Sequence, residues 1–294
     1  MRMIILLSLL FCASLFADTT AEQFYQHLKM AQKGDSKSQV LVGRSYLKGD
    51  GVSKDEVEAV KWFRKSAESG NAEAQCCLGF AYYYGEGVSK DKVESLKWYR
   101  KSAELGFARA QNAIGRFYIE GEVLPKDEVE ALKWFRKSAQ QGCDRGQFNL
   151  GSAYYYGSGV IQNQAEAVKW YHKAAEQGNT DAQYCLGYAY ERGEGVLQDQ
   201  VEAVKWYRKA AEQGDDFAQH VLGLCYQYGK LGVQLDLTEA YAYYNISAIT
   251  YKNARDSRDL IIKDMTPAQF EVGQKLSREL QAQIEVNKAK KVSK

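Results

Sequence analysis

The chain has 294 residues, of which 45% are apolar, 26% charged and 13% aromatic, with 25 Gly and only 2 Pro. That composition belongs to a globular protein and excludes the disordered, collagen-like and membrane-embedded classes. With 39 Lys and Arg against 37 Asp and Glu the formal charge is +2, which argues against nucleic acid as the main partner, because phosphate binding needs clustered excess base.

In chain order, Met1, Arg2 and Met3 precede an apolar run from Ile4 to Phe16, which Ala17 closes. A positive start, a short apolar stretch and a small closing residue predict a signal peptide over 1–17, cut after Ala17. The run is shorter than the roughly 20 residues that cross a bilayer. A lipoprotein signal through Cys12 is rejected, because Phe11 stands where a small residue is needed. The mature chain is therefore expected to be secreted or periplasmic, without membrane insertion, and monomeric. Residues 18–34 are expected to form an N-terminal capping helix, with Phe24 and Leu28 facing the first repeat and Gly34 as its end.

From there a period of 36 governs the chain. Trp62, Trp98, Trp134, Trp170 and Trp206 keep that spacing, as do Gly43, Gly79, Gly115, Gly151, Gly187 and Gly223. Gln39, Gln75, Gln111, Gln147, Gln183 and Gln219 follow it, and so do the tyrosines from Tyr46 to Tyr190 and on to Tyr226. The repeats are 35–70, 71–106, 107–142, 143–178, 179–214 and 215–251, the last longer by one residue at Gly229-Lys230-Leu231-Gly232. Each reads as two helices. In the second repeat Ala74, Leu78, Ala81 and Tyr82 mark a buried stripe at helical spacing. Gly79 lets a neighbouring helix approach, and Gly85-Glu86-Gly87 turns the chain. Asp91 and Glu94 predict a capping box for the second helix, recurring as Asp55/Glu58, Asp127/Glu130, Asn163/Glu166, Asp199/Glu202 and Asp236/Glu239. One hairpin cannot bury its own apolar face, but stacked hairpins can. The fold class is all-α: an α/α superhelical solenoid of six helix-turn-helix repeats with N- and C-terminal capping helices. The C-terminal caps occupy 252–286, the second beginning at Thr266-Pro267-Ala268-Gln269, and 287–294 is expected to be a basic, frayed tail.

The pattern from Ala182-Gln183 to Val196 and from Asp199 to Gly214 resembles the Sel-1-like repeat, a branch of the tetratricopeptide-like superhelices. The likeness covers 35–251 in six copies, and Met265 to Phe270 is similar to the ending of many bacterial members. The resemblance implies a right-handed superhelix that serves as an adaptor between proteins, and exported bacterial members are linked to signalling, envelope processes and host interaction. The third repeat departs from the pattern. Gly121-Glu122-Val123-Leu124-Pro125 lacks the second turn glycine, so a stiffer, differently angled loop is expected there.

In such arrays the first helices line the concave face. Their variable positions, spaced by four, are the ligand candidates: Arg44, Phe80, Tyr84, Asn112, Arg116, Phe148, Tyr156, Tyr184, Tyr188, Arg192, His220 and Tyr228. Aromatics and Arg are enriched in binding hot spots, so an unidentified peptide or protein is the expected partner. The alternative for any one Tyr is packing between successive helices. The recurring Lys-Trp-[Phe/Tyr]-[Arg/His]-Lys run interleaves base with aromatics, yet a Glu precedes each Lys by a turn, as Glu58 does Lys61. It reads as an ion-paired outer face and not as a nucleic-acid platform.

Catalysis, metals and cofactors are not expected. Some cysteine-rich exported relatives are labelled β-lactamases or penicillin-binding proteins, so a hydrolase acting on β-lactams or cell wall is the alternative. Ser89-Lys90-Asp91-Lys92 has the Ser-to-Lys spacing, but in a loop and without the Ser-Asp-Asn and Lys-Thr-Gly elements. His27, His172 and His220 have no metal-like partner spacing, and His172, which replaces a repeated Arg, reads as a surface residue. Cys76, Cys77, Cys143, Cys185 and Cys225 are an odd number beyond 1–17. Cys185 and Cys225, on adjacent first helices, are the only plausible inter-repeat disulfide. Asn245-Ile246-Ser247 is a glycosylation sequon, which keeps a eukaryotic secretory adaptor as a third reading, behind a bacterial one.

Overall fold

The computed structural model describes residues 20–292. The expected signal peptide and its cleavage after Ala17 lie outside the described residues. A first helix, α1, runs over 20–32. Six helix pairs come next: α2 (Ser36–Lys48) with α3 (Glu56–Glu68), α4 (Ala72–Tyr84) with α5 (Lys92–Glu104), α6 (Ala108–Glu120) with α7 (Glu128–Gln140), α8 (Asp144–Tyr156) with α9 (Gln164–Glu176), α10 (Thr180–Arg192) with α11 (Gln200–Ala211), and α12 (Asp216–Tyr228) with α13 (Leu237–Ser247). The chain closes with α14 (Lys252–Ile261), a 3-10 turn (Ile262–Asp264) and α15 (Pro267–Val292). The described residues contain no strand. The fold is an α/α solenoid of six repeats with capping helices. The described residues divide into two compact units, the first ending at Gln141 and the second beginning at Gly142.

Within each pair, one contact recurs. The glycine in the middle of the first helix faces the aromatic residue that comes just after the tryptophan position of the second. A Cβ on Gly43 would lie 2.6 Å from the Phe63 ring, and on Gly79 2.8 Å from Tyr99. For Gly115 and Phe135 the distance is 2.5 Å, for Gly151 and Tyr171 2.8 Å, for Gly187 and Tyr207 2.6 Å, and for Gly223 and Tyr244 2.5 Å. Any side chain there would displace a buried ring. Helix α15 docks on α13 by the same means, since a Cβ on Gly273 would meet Tyr241 at 2.7 Å.

Successive pairs inside a unit are joined by a buried glutamine. The amide of Gln39 donates to the carbonyl of Ala31 at 3.2 Å, Gln75 to Ala67 at 3.2 Å, and Gln111 to Ala103 at 3.5 Å. In the second unit Gln183 donates to Ala175 and Gln219 to Ala211, both at 3.1 Å. Each of these carbonyls lies at the end of a helix, where it has no partner within that helix. The side-chain oxygens of Gln111, Gln147 and Gln183 accept from Gln141, Gln177 and Gln213 at 2.8, 2.7 and 2.6 Å. Ser69 and Leu105 hold that donor's place in the first two repeats, and there the oxygens of Gln39 and Gln75 are buried without a partner. Each such orphan costs on the order of 1 kcal/mol or more.

The second helices begin as predicted, but with half of the expected box. Asp55 accepts from the amide of Glu58 at 2.9 Å, and Asp91, Asp127, Asn163, Asp199 and Asp236 cap in the same way. The reciprocal bond cannot form, because each capping residue's own amide already donates to a first-helix tyrosine carbonyl: Asp55 to Tyr46 at 2.9 Å, Asp91 to Tyr82 at 2.8 Å, Asp199 to Tyr190 at 3.0 Å. Released from that role, the glutamates of the first five repeats bind the lysine three residues on, as in Glu58 with Lys61 at 2.7 Å and Glu202 with Lys205 at 2.7 Å. Each tryptophan carries a second lysine over its ring, Lys65 over Trp62 at 4.2 Å and Lys209 over Trp206 at 3.9 Å among them. The basic run is thus an ion-paired, ring-covering helix face.

The turns end the first helices with a left-handed glycine, such as Gly85 at φ 81°. Most close with two bonds to one carbonyl, as Gly85 and Glu86 do on Ala81. In the third repeat, Gly121 bonds Phe117 at 3.1 Å and no second bond to that carbonyl occurs among the described residues. The loop without the second glycine does close differently.

Three expectations need correction. The tail from Asn287 is helical to Val292. Asn287 donates to the Glu212 carbonyl at 2.9 Å, and Ile284 one turn earlier is buried in the second unit's core, so the helix is anchored where fraying was expected. His172 is half-buried and not a surface residue. Its ring bonds the Tyr190 hydroxyl at 3.1 Å and sits edge-on to Trp206, and burial lowers its pKa. Cys185 and Cys225 are both free thiols. Burial pushes Cys225 up to about 11 and Cys185 up to about 12, so both stay protonated.

Replacing Gly187 by Ala is expected to lower stability by about 2 kcal/mol, through overpacking against Tyr207. Urea unfolding measures it, and an unchanged midpoint would show that the ring moves aside freely.

Candidate functional site

The twelve predicted face residues lie on the first helices, but they are not equally open. Exposure rises along each helix. The earliest positions are closed in by neighbouring helices, and most last-turn positions stand open.

In the first unit Asn112 is only 5% exposed, within α6 beside the buried Gln111. It is a packing residue, and its assignment to an open face is corrected on that ground. Arg44 is half-buried and ion-paired with Glu73 of the next repeat. Phe80 and Tyr84 are exposed, with ring centroids 4.5 Å apart. Tyr84 also meets the edge of Tyr83 at 4.8 Å. Tyr83 was not singled out from the sequence, yet it organises this end of the unit. Its hydroxyl donates to Glu120 at 2.8 Å, with Lys92 and Arg116 over its ring at 5.1 and 5.6 Å. Burial first, then Glu120, raises the Tyr83 pKa. Arg116 bonds Glu120 at 3.0 Å. Burial opposes the Arg116 charge, but hydrogen bonds to Tyr84 and Glu120 outweigh it and raise its pKa.

In the second unit Phe148 packs on Tyr171 at 5.8 Å, and Tyr184 on Tyr207 and Phe217 at 5.6 and 6.2 Å. His220 is half-buried. It lies against Tyr244 and Tyr251 and hydrogen-bonds Ser257 at 3.3 Å, and burial lowers its pKa. These three are held in packing contacts, the alternative weighed for such aromatics. Tyr156, Arg192 and Tyr228 are open, with Tyr156 73% exposed. Arg192 lies over the half-buried Tyr188 at 5.7 Å. Tyr155 repeats the role of Tyr83, its hydroxyl donating to Glu194 at 2.6 Å. The last-turn positions of successive first helices therefore alternate: Lys48, Tyr84 and Glu120 in the first unit, Tyr156, Arg192 and Tyr228 in the second.

In the hydrolase alternative Lys92 would be the base for Ser89. Lys92 is ion-paired with Glu122 and covers Tyr83, and the bond to Glu122 raises its pKa. A lysine that deprotonates serine needs the opposite shift. Among the described residues, no three or more His, Cys, Asp or Glu are grouped to hold a metal, and no helix is long and apolar enough to cross a membrane. The sequon is packed into α13: Ser247 is fully buried and the Asn245 amide donates to Ser277 at 3.1 Å.

Helix pairs that share one notch, one inter-pair glutamine and one capped turn define an α/α repeat protein with an open edge of rings and charges. A Sel1 repeat model matches residues 36–71, 72–107, 108–143, 144–179, 180–215 and 216–248. The chain belongs to the Sel1 repeat family, a family of protein-interaction scaffolds. It is similar to the crystal structure of a Sel1 repeat protein from Oxalobacter formigenes, at 33% identity and a TM-score of 0.68, over 79% of this chain and 96% of that one. Two immunity proteins from Pseudomonas aeruginosa share the fold at 21% identity and a TM-score of 0.50. One aligns over 78% of this chain and 81% of its own, the other over 84% and 87%. A search of curated proteins finds no match.

Asp215, which caps α12 beside this face, has its pKa raised to about 6, by burial first and then by Asp216 and Asp181. The folded chain keeps this proton to a higher pH than the unfolded chain does. Stability from Asp215 therefore falls as pH rises from about 4 to 6, and stays lost above that. The equivalent caps Asn71 and Asn179 are uncharged and donate to Ser36 and Asp144 of the preceding repeat. Asp215→Asn is expected to stabilise the protein by about 1–2 kcal/mol at pH 7, and not at pH 4. Urea titrations at both pH values test this, and an equal gain at each would refute the buried charge as its cause.

Proposed function

We infer that the protein is a non-catalytic scaffold which, after export directed by residues 1–17, holds a peptide or protein on the first-helix faces of its two units. The alternation of open tyrosines with charged residues at the last turns carries this reading. Tyr84, Tyr156 and Tyr228 present large, stiff apolar surfaces with a hydroxyl at the tip, which lose little side-chain entropy when a partner covers them. On the same last turns Lys48 in the first unit and Arg192 in the second are exposed charges, each of which would favour an oppositely charged group of the partner. Two of these rings rest on half-buried tyrosines, Tyr84 on Tyr83 and Tyr156 on Tyr155, and the half-buried Tyr188 lies under Arg192. The family's character as interaction scaffolds agrees with this use.

Two experiments test it. Crosslinking in the native envelope, with mass spectrometry of the products, is expected to capture a partner. Changing Tyr84, Tyr156 and Tyr228 together to Ala should reduce that capture at least tenfold, with the helical circular dichroism unchanged. Undiminished capture would move the binding site elsewhere. Purified protein is expected to hydrolyse a chromogenic β-lactam no faster than buffer, and turnover would restore the hydrolase reading.

A further inference from the structure

The second unit contains an open groove of about 380 Å³ where α13, α14 and α15 meet. Three arginines line it: Arg255 and Arg258 from α14, and Arg278 from α15. The chain as a whole is close to neutral, so three arginines around one hollow are a local excess of charge. Among the described residues one carboxylate answers them, Asp259, at 2.7 Å from Arg258. Arg255 and Arg278 make no ion pair among those residues, and Arg278 makes no hydrogen bond there either.

Two of the three are held in place. Arg258 is fixed between Asp259 and the side-chain oxygen of Asn245, at 3.4 Å from the latter. Asn245 is fixed in turn by Ser277 at 3.1 Å. Arg255 donates one nitrogen to the carbonyl of Ala248 at 3.3 Å and keeps the rest of its fork. The lining also includes the apolar Ile246, Ala248 and Ile249, the last exposed. Guanidinium forks match the paired oxygens of carboxylate and phosphate. An apolar wall beside them suits a carbon frame, which a bare inorganic ion lacks.

We propose that this groove binds a small organic anion carrying at least two acidic groups. One group is taken by Arg255 and Arg258, and Arg278 closes over the other. The site is separate from the first-helix faces, and neither assignment depends on the other.

Isothermal titration of the full chain with citrate, pyrophosphate, inorganic phosphate and sodium chloride at matched ionic strength tests the proposal. Citrate or pyrophosphate is expected to bind at least tenfold more tightly than phosphate, with no heat from chloride. Binding by citrate alone would define the natural groups as carboxylates, and by pyrophosphate alone as phosphates. Arg278→Gln should weaken the tighter ligand about tenfold, and Lys275→Gln, which removes the same charge from an exposed position of the same helix, should leave it unchanged. An equal loss in both variants, or binding no tighter than that of phosphate, would overturn the proposal.

Discussion

The structure depends on a missing side chain. Six times, the first helix of a pair carries a glycine where the second helix brings a phenylalanine or tyrosine ring, and no Cβ would fit between them. The notch fixes how deep the pair packs and at what point along it. A ring seated in a groove cut through one residue cannot slide by a helical turn, as a purely aliphatic seam could. With the register of each hairpin set, the other repeated contacts fall into place. Serines such as Ser102 and Ser138 reach the first residues of their partner helices, at 2.5 and 2.7 Å. A tyrosine in the notch can also bond through its hydroxyl, as Tyr207 does to Glu191 at 2.8 Å and Tyr244 to Gln227 at 2.7 Å.

Between hairpins, the bond is polar and buried. Stacked helix pairs offer similar apolar surfaces to one another, so hydrophobic contact alone chooses alignment poorly. A buried amide tied to one carbonyl at the end of the preceding helix chooses it well, because any other alignment leaves that amide without a partner. The first two repeats keep the bond to the carbonyl but not the second acceptor role of the glutamine. They are the places in the first unit where specificity costs the most. The tryptophans show the same economy: Trp170 donates to Glu166 at 3.0 Å, while the indole nitrogens of Trp62, Trp98, Trp134 and Trp206 are buried without an acceptor.

Much of this was legible in the sequence, because whatever recurs at a fixed interval must serve the packing. The helices, their caps, the turn glycines and the buried stripe of Ala74, Leu78 and Ala81 derive from the period and local chemistry. The misreadings concern positions whose surroundings come from the neighbouring repeat. Asn112 varies between repeats and is polar, the pattern of an open position, yet the adjoining helices bury it. His172 replaces an arginine and looks incidental, until Tyr190 of the next repeat supplies its partner. Tyr83 and Tyr155 were missed because Ile119 and Glu191 hold the intervening places, which hides a pairing that skips every other repeat. The capping box was read from two side chains, and the carbonyl that excludes its second half came from a helix nine residues earlier.

That carbonyl bond has a consequence for how the chain acquires its shape. Linking Asp91 to Tyr82, and its counterparts likewise, closes a loop of fewer than a dozen residues, and the ring that fills each notch arrives only about twenty residues after its glycine. Contacts so near in sequence form quickly and cost little entropy of closure. Each hairpin can therefore be completed without its successor, and the finished edge then offers a surface on which the next hairpin packs.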